Sequence, residues 1–299
     1  MFENNLIYKS YYSWWKNIDK SVLLLIITLF SLGLFFSLVS TSLIASDKLN
    51  TNSYYFFIKH LLFIGIGIFF IIFFSSLNHN DLIKVSNILF LLFLFFLILV
   101  PFFGLEIKGS RRWIDFPFFP RFQPIELLKP FLIIIIANVL SYENNKNIYY
   151  KYLLSFLIII PIILLLVMQP DIGQSLLTFL TWLSLIFVSG INLMIFFIFF
   201  ILIILLLLAI IFIFPNKFGY IFIRLKSFFD PMSGNSYQSE KASEAIINGG
   251  FFGKGIGEGT LKNRIPEAHT DYIVSVISEE FGVLFIIFLM IIFLFFVYQ

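Results

Sequence analysis

The stretch "RIPEAHTDYIVSVISEE", residues 264–280, gathers side chains suited to proton transfer: Glu267, His269 and Asp271 stand before an apolar run that ends in Glu279 and Glu280. Pro266 drives Ile265 toward extended backbone. Thr270 is a good N-cap, so a helix is expected to start at Asp271. An acid in a first helical turn is stabilised as its anion by unpaired N–H groups and the helix dipole. Such a carboxylate can serve as a general base, and it can equally be a plain helix-start residue. His269 beside it is more ordinary as a loop histidine than as a proton carrier. Ser275, Ser278 and Gly282 recur at helical spacing and form a small, polar stripe suited to facing other helices. Residues 281–297 nearly suffice to span a bilayer, which would put Glu279 and Glu280 near headgroup level. Asp271 would lie about 12 Å beyond them at roughly 1.5 Å per residue.

A second stretch, "FGLEIKGSRRWIDFPFFPRFQPIELLKP" at 103–130, offers chemistry for anions. Arg111 and Arg112 precede Trp113, while Arg121 and Lys129 bracket Gln123 and Glu126. An arginine fork matches phosphate oxygens bidentately, and lysine adds a compact point charge. Pro124 fits a first helical turn, where a missing N–H is harmless, and this puts Glu126 and Lys129 at i, i+3, able to pair. The same Arg, Lys and Trp cluster also reads as headgroup anchoring by snorkelling side chains. "MQPDIGQS", 168–175, is a tight turn between helices in which Asp171 can cap the helix that follows.

The polar excursion that follows holds Arg224 and Lys226 beside Phe228 and Phe229, a candidate interfacial stretch, and later Lys262. Gly249, Gly250, Gly253, Gly255, Gly257 and Gly259 could form a backbone nest for an anion or simply let the chain bend. No strand precedes them and no βαβ unit is present, so a dinucleotide site is discarded. No nucleic-acid partner is expected.

These groups must be positioned by apolar helices. The 299 residues are 60% hydrophobic and only 12% charged, a balance no soluble surface could carry. Runs of about 20 apolar residues are the length needed to cross a hydrocarbon core as helices. Hydropathy places eight spans at about 21–45, 57–76, 84–103, 124–141, 152–168, 174–190, 193–214 and 273–297. The expected fold is an all-α integral membrane protein, a polytopic helical bundle with one domain over 1–299 and polar loops at about 104–123 and 215–272. The first span is too long for a cleaved signal peptide's apolar core. The 43 phenylalanines fit a compositional bias and carry no code of their own, and the lack of cysteine excludes disulfides and thiolate metal sites. Of the 20 Lys and Arg, all but six fall on the side of the two polar loops or at its boundary. Positive-inside counting would make that side cytoplasmic. Cations held by a site for an anionic substrate would inflate the same count.

Taken together, "RRWIDF", "RFQPIELLK", "QPDIGQS" and "YQSEKASEAIINGGFFGKGIGEGTLKNRIPEAHTDYIVSVISEEFG" resemble the SEDS family (shape, elongation, division, sporulation) of peptidoglycan polymerases. "PEAHTDY", "EEFG", "GKGIGEGTLK" and "WWKNIDKSVLLL" look more like its FtsW-type division branch than its RodA-type elongation branch. The resemblance runs over essentially the whole chain. It implies ten membrane helices, a cytoplasmic N-terminus, outward-facing cationic loops, and residence in the bacterial cytoplasmic (inner) membrane at the division septum. This chain ends after the eighth span, so two of those helices are expected to be missing, the chain being either a fragment or a C-terminally truncated protein. Ile125 stands where the family usually has a small Ser or Ala.

The implied reaction is polymerisation of lipid II into β-1,4 glycan with release of undecaprenyl pyrophosphate. Asp271 matches the family's essential aspartate. Arg112, Arg121, Lys129 and Lys262 would hold the diphosphate, with Trp113, Gln123, Glu126, Asp171, Glu267, His269 and Thr270 lining the substrate site. A divalent cation could bridge the diphosphate, but no compact ligand cluster is evident, so neither a metal nor another cofactor is assigned. Implied partners are lipid II, a class B penicillin-binding protein of FtsI type and other division proteins. Two rival readings are a lipid II flippase, whose charges would be spread through the membrane depth, and a non-catalytic division scaffold, in which Asp271 would be dispensable.

Overall fold

The computed structural model describes residues 12, 14–38, 54–107, 110–116, 120–141, 148–213, 219, 237–261, 264–265, 268 and 272–299. It divides into two compact units, Met1–Ser76 with Lys226–Gln299 and, separately, Leu77–Leu225.

The second unit is an apolar helical core. Its elements are α3 (His79–Phe103), β1 (Leu105–Ile107), β2 (Ser110–Trp113), α4 (Pro124–Ser141), α5 (Ile148–Met168), α6 (Ile172–Val188) and α7 (Leu193–Ile213). Leu97, Ile125, Leu128, Ile159, Ile162, Leu166 and Ile186 are fully enclosed where α3, α4, α5 and α6 meet. Ile125 is one of them, so the bulkier side chain there is absorbed as packing. Two polar side chains inside this core are paired, as a medium without water favours. Trp182 Nε1 donates to Ser155 Oγ at 3.1 Å, and Gln169 Nε2 donates to the Leu97 carbonyl at 3.3 Å.

The segment expected as a plain loop at 104–123 contains an antiparallel hairpin. Glu106 pairs with Arg111 and Ile107 with Ser110, and an isolated bridge joins Ile114 to Phe122. Phe116 and Phe122 stack on each other, and both contact Phe96 of α3 edge-on, which seats the hairpin on the helix end.

The first unit holds α1 (Lys20–Phe36), α2 (Tyr55–Ser76), α8 (Tyr237–Gly249), α9 (Ile273–Phe281) and α10 (Val283–Tyr298). Asp19 caps α1, accepting from Ser21 N at 2.8 Å and Val22 N at 3.1 Å. Phe36 at the end of α1 packs edge-on against Phe281 and Phe285.

Four described helices are long and apolar enough to cross a membrane, and four shorter apolar ones accompany them, so each of the eight expected spans has a helix. The structure adds detail at three of these expectations. α3 begins at His79, several residues early, because Asp81 and Lys84, which hydropathy counts against a span, form an exposed first-turn pair at 3.4 Å. The excursion at 215–272 contains the helix α8.

The largest change is at the last span, which is broken rather than continuous. It starts at Ile273, with Tyr272 rather than Thr270 in the cap position, and stops at Gly282 before resuming as α10. Gly282 has φ +83°, a conformation L side chains rarely adopt. The glycine turn after α8 supplies the missing backbone partners. Lys254 N and Gly255 N donate to the carbonyls of Glu279 and Glu280 at 3.0 and 3.1 Å. Val283 N and Leu284 N in turn donate to the carbonyls of Gly250 and Phe251 at 2.9 and 3.3 Å. Gly253, also at positive φ, lies so close to the Glu280 carbonyl that a Cβ would collide with it. Gly249 and Gly253 thus let the chain approach the end of α9 closely, and Gly253 bends it at positive φ.

Candidate functional site

In the second unit, the α5–α6 turn and the start of α4 bring six polar side chains into one connected network. Asp171 is its hinge. The "QPD" turn leaves this residue at the head of α6, and its side chain accepts from Gln174 N at 3.4 Å as an N-cap. Its other oxygen, Oδ2, accepts from Gln123 Nε2 at 3.0 Å and stands 3.5 Å from Arg112 Nε. That nitrogen is buried, within ion-pair range of the carboxylate but not aligned for a hydrogen bond. Arg112 Nη2 donates to the Pro170 carbonyl at 2.7 Å, so the strand β2 delivers one guanidinium onto the turn by two contacts.

One helical turn further along α6, Gln174 joins this cluster to a second. Its Nε2 donates to Glu126 Oε1 at 2.6 Å, and its Oε1 accepts from Lys129 Nζ at 3.1 Å. Glu126 and Lys129 pair directly at 2.7 Å, as their i, i+3 spacing on α4 predicts. Gln174 did not stand out in the sequence, where glutamine in "DIGQS" reads as a neutral helix residue. The signal for it is the neighbourhood of α4 and α6, which only the fold supplies.

The cations are engaged but not sealed in. The Arg112 side chain retains 31% of its exposure and Lys129 20%. Beside Lys129, α4 and α6 leave a cavity of about 90 Å³, apolar except for Lys129, Thr181 and Thr178. The buried Thr178 hydroxyl has no hydrogen-bond partner among the described residues.

Other predicted site residues stand apart from this network. Arg121 donates to Asp115 at 2.9 Å in an exposed pair. Trp113 faces outward on β2, and Arg111 pairs with Glu106 at 3.4 Å across the hairpin. Lys262, Glu267, His269, Thr270 and Asp271 lie outside the described residues.

In the first unit Glu279 and Glu280, expected near headgroup level, are enclosed by the protein itself. Both are buried, because the glycine turn and α8 fold over the end of α9. Glu279 Oε1 accepts from Thr260 N at 2.9 Å, Leu261 N at 3.0 Å and Asn248 Nδ2 at 3.1 Å. Two consecutive backbone amides, those of Thr260 and Leu261, thus donate to the chain's own carboxyl group.

Comparison with known proteins gives this geometry a context. Residues 19–299 match the FtsW/RodA/SpoVE family profile, described as a cell cycle protein. The chain is 34% identical over 270 residues to the probable peptidoglycan glycosyltransferase FtsW of Buchnera aphidicola subsp. Schizaphis graminum, covering 86% of this chain and 74% of that one. It is 28% identical over 272 residues to the protein of the same description from Caulobacter vibrioides, covering 91% and 68%. Among solved structures it shares the fold of a chain from a peptidoglycan synthase complex that coordinates polymerization and crosslinking. That match has a TM-score of 0.71 at 22% identity, covering 94% of this chain and 76% of the other. The resemblance drawn from the motifs holds, and this multi-pass membrane protein belongs to the FtsW/RodA/SpoVE family.

Proposed function

We propose that this protein is a peptidoglycan glycosyltransferase that polymerises lipid II during division and works beside a class B penicillin-binding protein in the cytoplasmic membrane. The observation that carries this reading is the network holding Arg112 and Lys129 at one end of α4 and α6, in a chain whose curated relatives are named as such enzymes. Diphosphate oxygens would exchange for the internal acceptors these two cations now use, Pro170 O and Asp171 for Arg112, Glu126 and Gln174 for Lys129. Fixed donors of this kind stabilise charge that grows on a leaving group.

The reaction needs no protein nucleophile. The 4-hydroxyl of the acceptor's GlcNAc attacks C1 of the donor's MurNAc, and the C1–oxygen bond to undecaprenyl pyrophosphate breaks with inversion, leaving a β-1,4 link. Asp271 takes the hydroxyl proton. Arg112, Lys129, Arg121 and Lys262 receive the negative charge of the departing diphosphate. The site faces outward and the N-terminus lies in the cytoplasm, so that glycan is delivered to the wall at the septum.

The test is purified protein with its penicillin-binding partner and fluorescent lipid II. Long glycan is expected from the native chain, and a loss of about 10²–10⁴-fold from Asp271→Asn, the range for removing a general base. Undiminished polymer from Asp271→Asn would rule out the assigned base. Translocation of lipid II across vesicles with no polymer would turn the reading toward a flippase.

A further inference from the structure

We infer that Glu279 is a positioning residue for sugar transfer: its buried carboxyl group clamps the turn at 259–261 and thereby fixes where the segment carrying Asp271 begins. The inference rests on the reading of Asp271 as the base.

Glu279 is fully buried, yet hydrophobic packing would not require a carboxyl group there. Enclosing such a group is costly unless its oxygens are paired, and an apolar side chain of similar volume would fill the same space. What the carboxyl group adds is directional. Oε1 gathers Thr260 N at 2.9 Å, Leu261 N at 3.0 Å, Asn248 Nδ2 at 3.1 Å and Thr260 Oγ1 at 3.5 Å. The backbone of the same residue accepts from Lys254 N at 3.0 Å. Glu279 therefore fastens the glycine-rich turn at two places, near its start and at its end, and ties both to α8.

The turn is pressed against this group. A Cβ added at Gly259 would lie 2.8 Å from Glu279 Oε2, closer than real Cβ contacts come. No other residue type fits there without moving the carboxyl group.

Beyond Leu261 the chain runs through 262–271 and returns at Tyr272 to the first turn of α9. Leu261 and Tyr272, which flank this segment, pack on a small cluster of Ala245, Ile265, Ala268 and Val276. The segment's two ends are then fixed to one helix. Tyr272 is covalently continuous with α9, and Thr260 and Leu261 are bonded to Glu279 two turns along it. A displacement of about 1 Å in a reacting group can cost on the order of 10²-fold in rate. Loosening one end of this segment would show in turnover before it showed in affinity.

The experiment uses the full chain with its penicillin-binding partner and compares Glu279→Gln and Gly259→Ala with wild type. Two readouts are taken: initial rates of lipid II consumption, and amide hydrogen exchange in peptides covering 262–272. Both variants are expected to lower kcat about 10-fold or more with KM changed less than about 2-fold. Exchange over 262–272 should rise about 10-fold while α3 and α4 exchange as in wild type. Wild-type kcat, wild-type exchange over 262–272, or faster exchange spread equally over both units would each overturn the inference. If Glu279→Gln does not fold, Gly259→Ala carries the test, since it keeps the carboxyl group and only displaces it. The two readings fail separately. An active Asp271→Asn removes the assigned base, whereas an inactive Asp271→Asn beside fully active Glu279 and Gly259 variants removes only the clamp.

Discussion

Asp171 serves three partners at once: it caps α6 through Gln174 N, accepts from Gln123, and faces the Arg112 guanidinium. Its side chain is 6% exposed and that of Arg112 31%, so the pair is mostly but not wholly desolvated. Removing one partner of a buried pair leaves the other charge uncompensated, which costs about 3–5 kcal/mol when burial is complete. Loss of an N-cap adds about 1 kcal/mol. Discounted for the exposure of Arg112, Asp171→Ala should destabilise the protein by about 2–3 kcal/mol. Asp171→Asn retains an acceptor for Gln174 N and should cost about half as much. Thermal unfolding in mild detergent gives both values, and equal losses for the two variants would mean that the charge plays no part. The capping role was legible in "QPDIGQS" because proline, aspartate and glycine each have a local reason to make that turn. The link to Gln123 was not, since it depends on a residue 48 positions away.

At the scale of elements, period and composition located the apolar helices because each span's signal is contained within itself. The break in the last span was hidden for the opposite reason. Helical spacing continues on both sides of Gly282, and a glycine after Ser275 and Ser278 extends a small-residue stripe as readily as it ends a helix. The deciding partners are the backbone groups of Gly250, Phe251, Lys254 and Gly255, about thirty residues upstream. The hairpin at 105–113 was obscured in the same way, by a short run whose only partner is itself and whose seat is on α3. An alanine at 282 would face positive φ and a collision with the Phe251 carbonyl. Such strain costs about 1–3 kcal/mol. Gly282→Ala is therefore expected to lower stability by at least that amount and to speed hydrogen exchange at Val283 and Leu284, whose amides depend on the turn. Unaltered exchange there would show that the span tolerates a regular helix at this point.

For the molecule as a whole, the distribution of apolar groups separates two kinds of position that look alike in sequence. Leu97 of α3 is fully enclosed, while Phe69 of α2 is 63% exposed, and both lie in runs of uninterrupted hydrophobic residues. Hydropathy alone ranks them together, because a span must be apolar on every face whether it meets protein or lipid. Their energetics differ. Leu97→Ala removes close-packed neighbours and leaves a cavity, at about 2–5 kcal/mol. Phe69→Ala exchanges one lipid contact for another and should cost under about 1 kcal/mol, since lipid tails are as apolar as the side chain they replace. Phe69→Lys reverses the ranking in a different assay. A lysine near the middle of a span opposes membrane insertion by about 2.5–3.5 kcal/mol, and the inserted fraction of α2 in a translocation assay should fall accordingly. If Phe69→Lys inserted as readily as wild type, that face of α2 would border water or protein, and its assignment as a lipid-facing surface would fail even though its composition is that of a span.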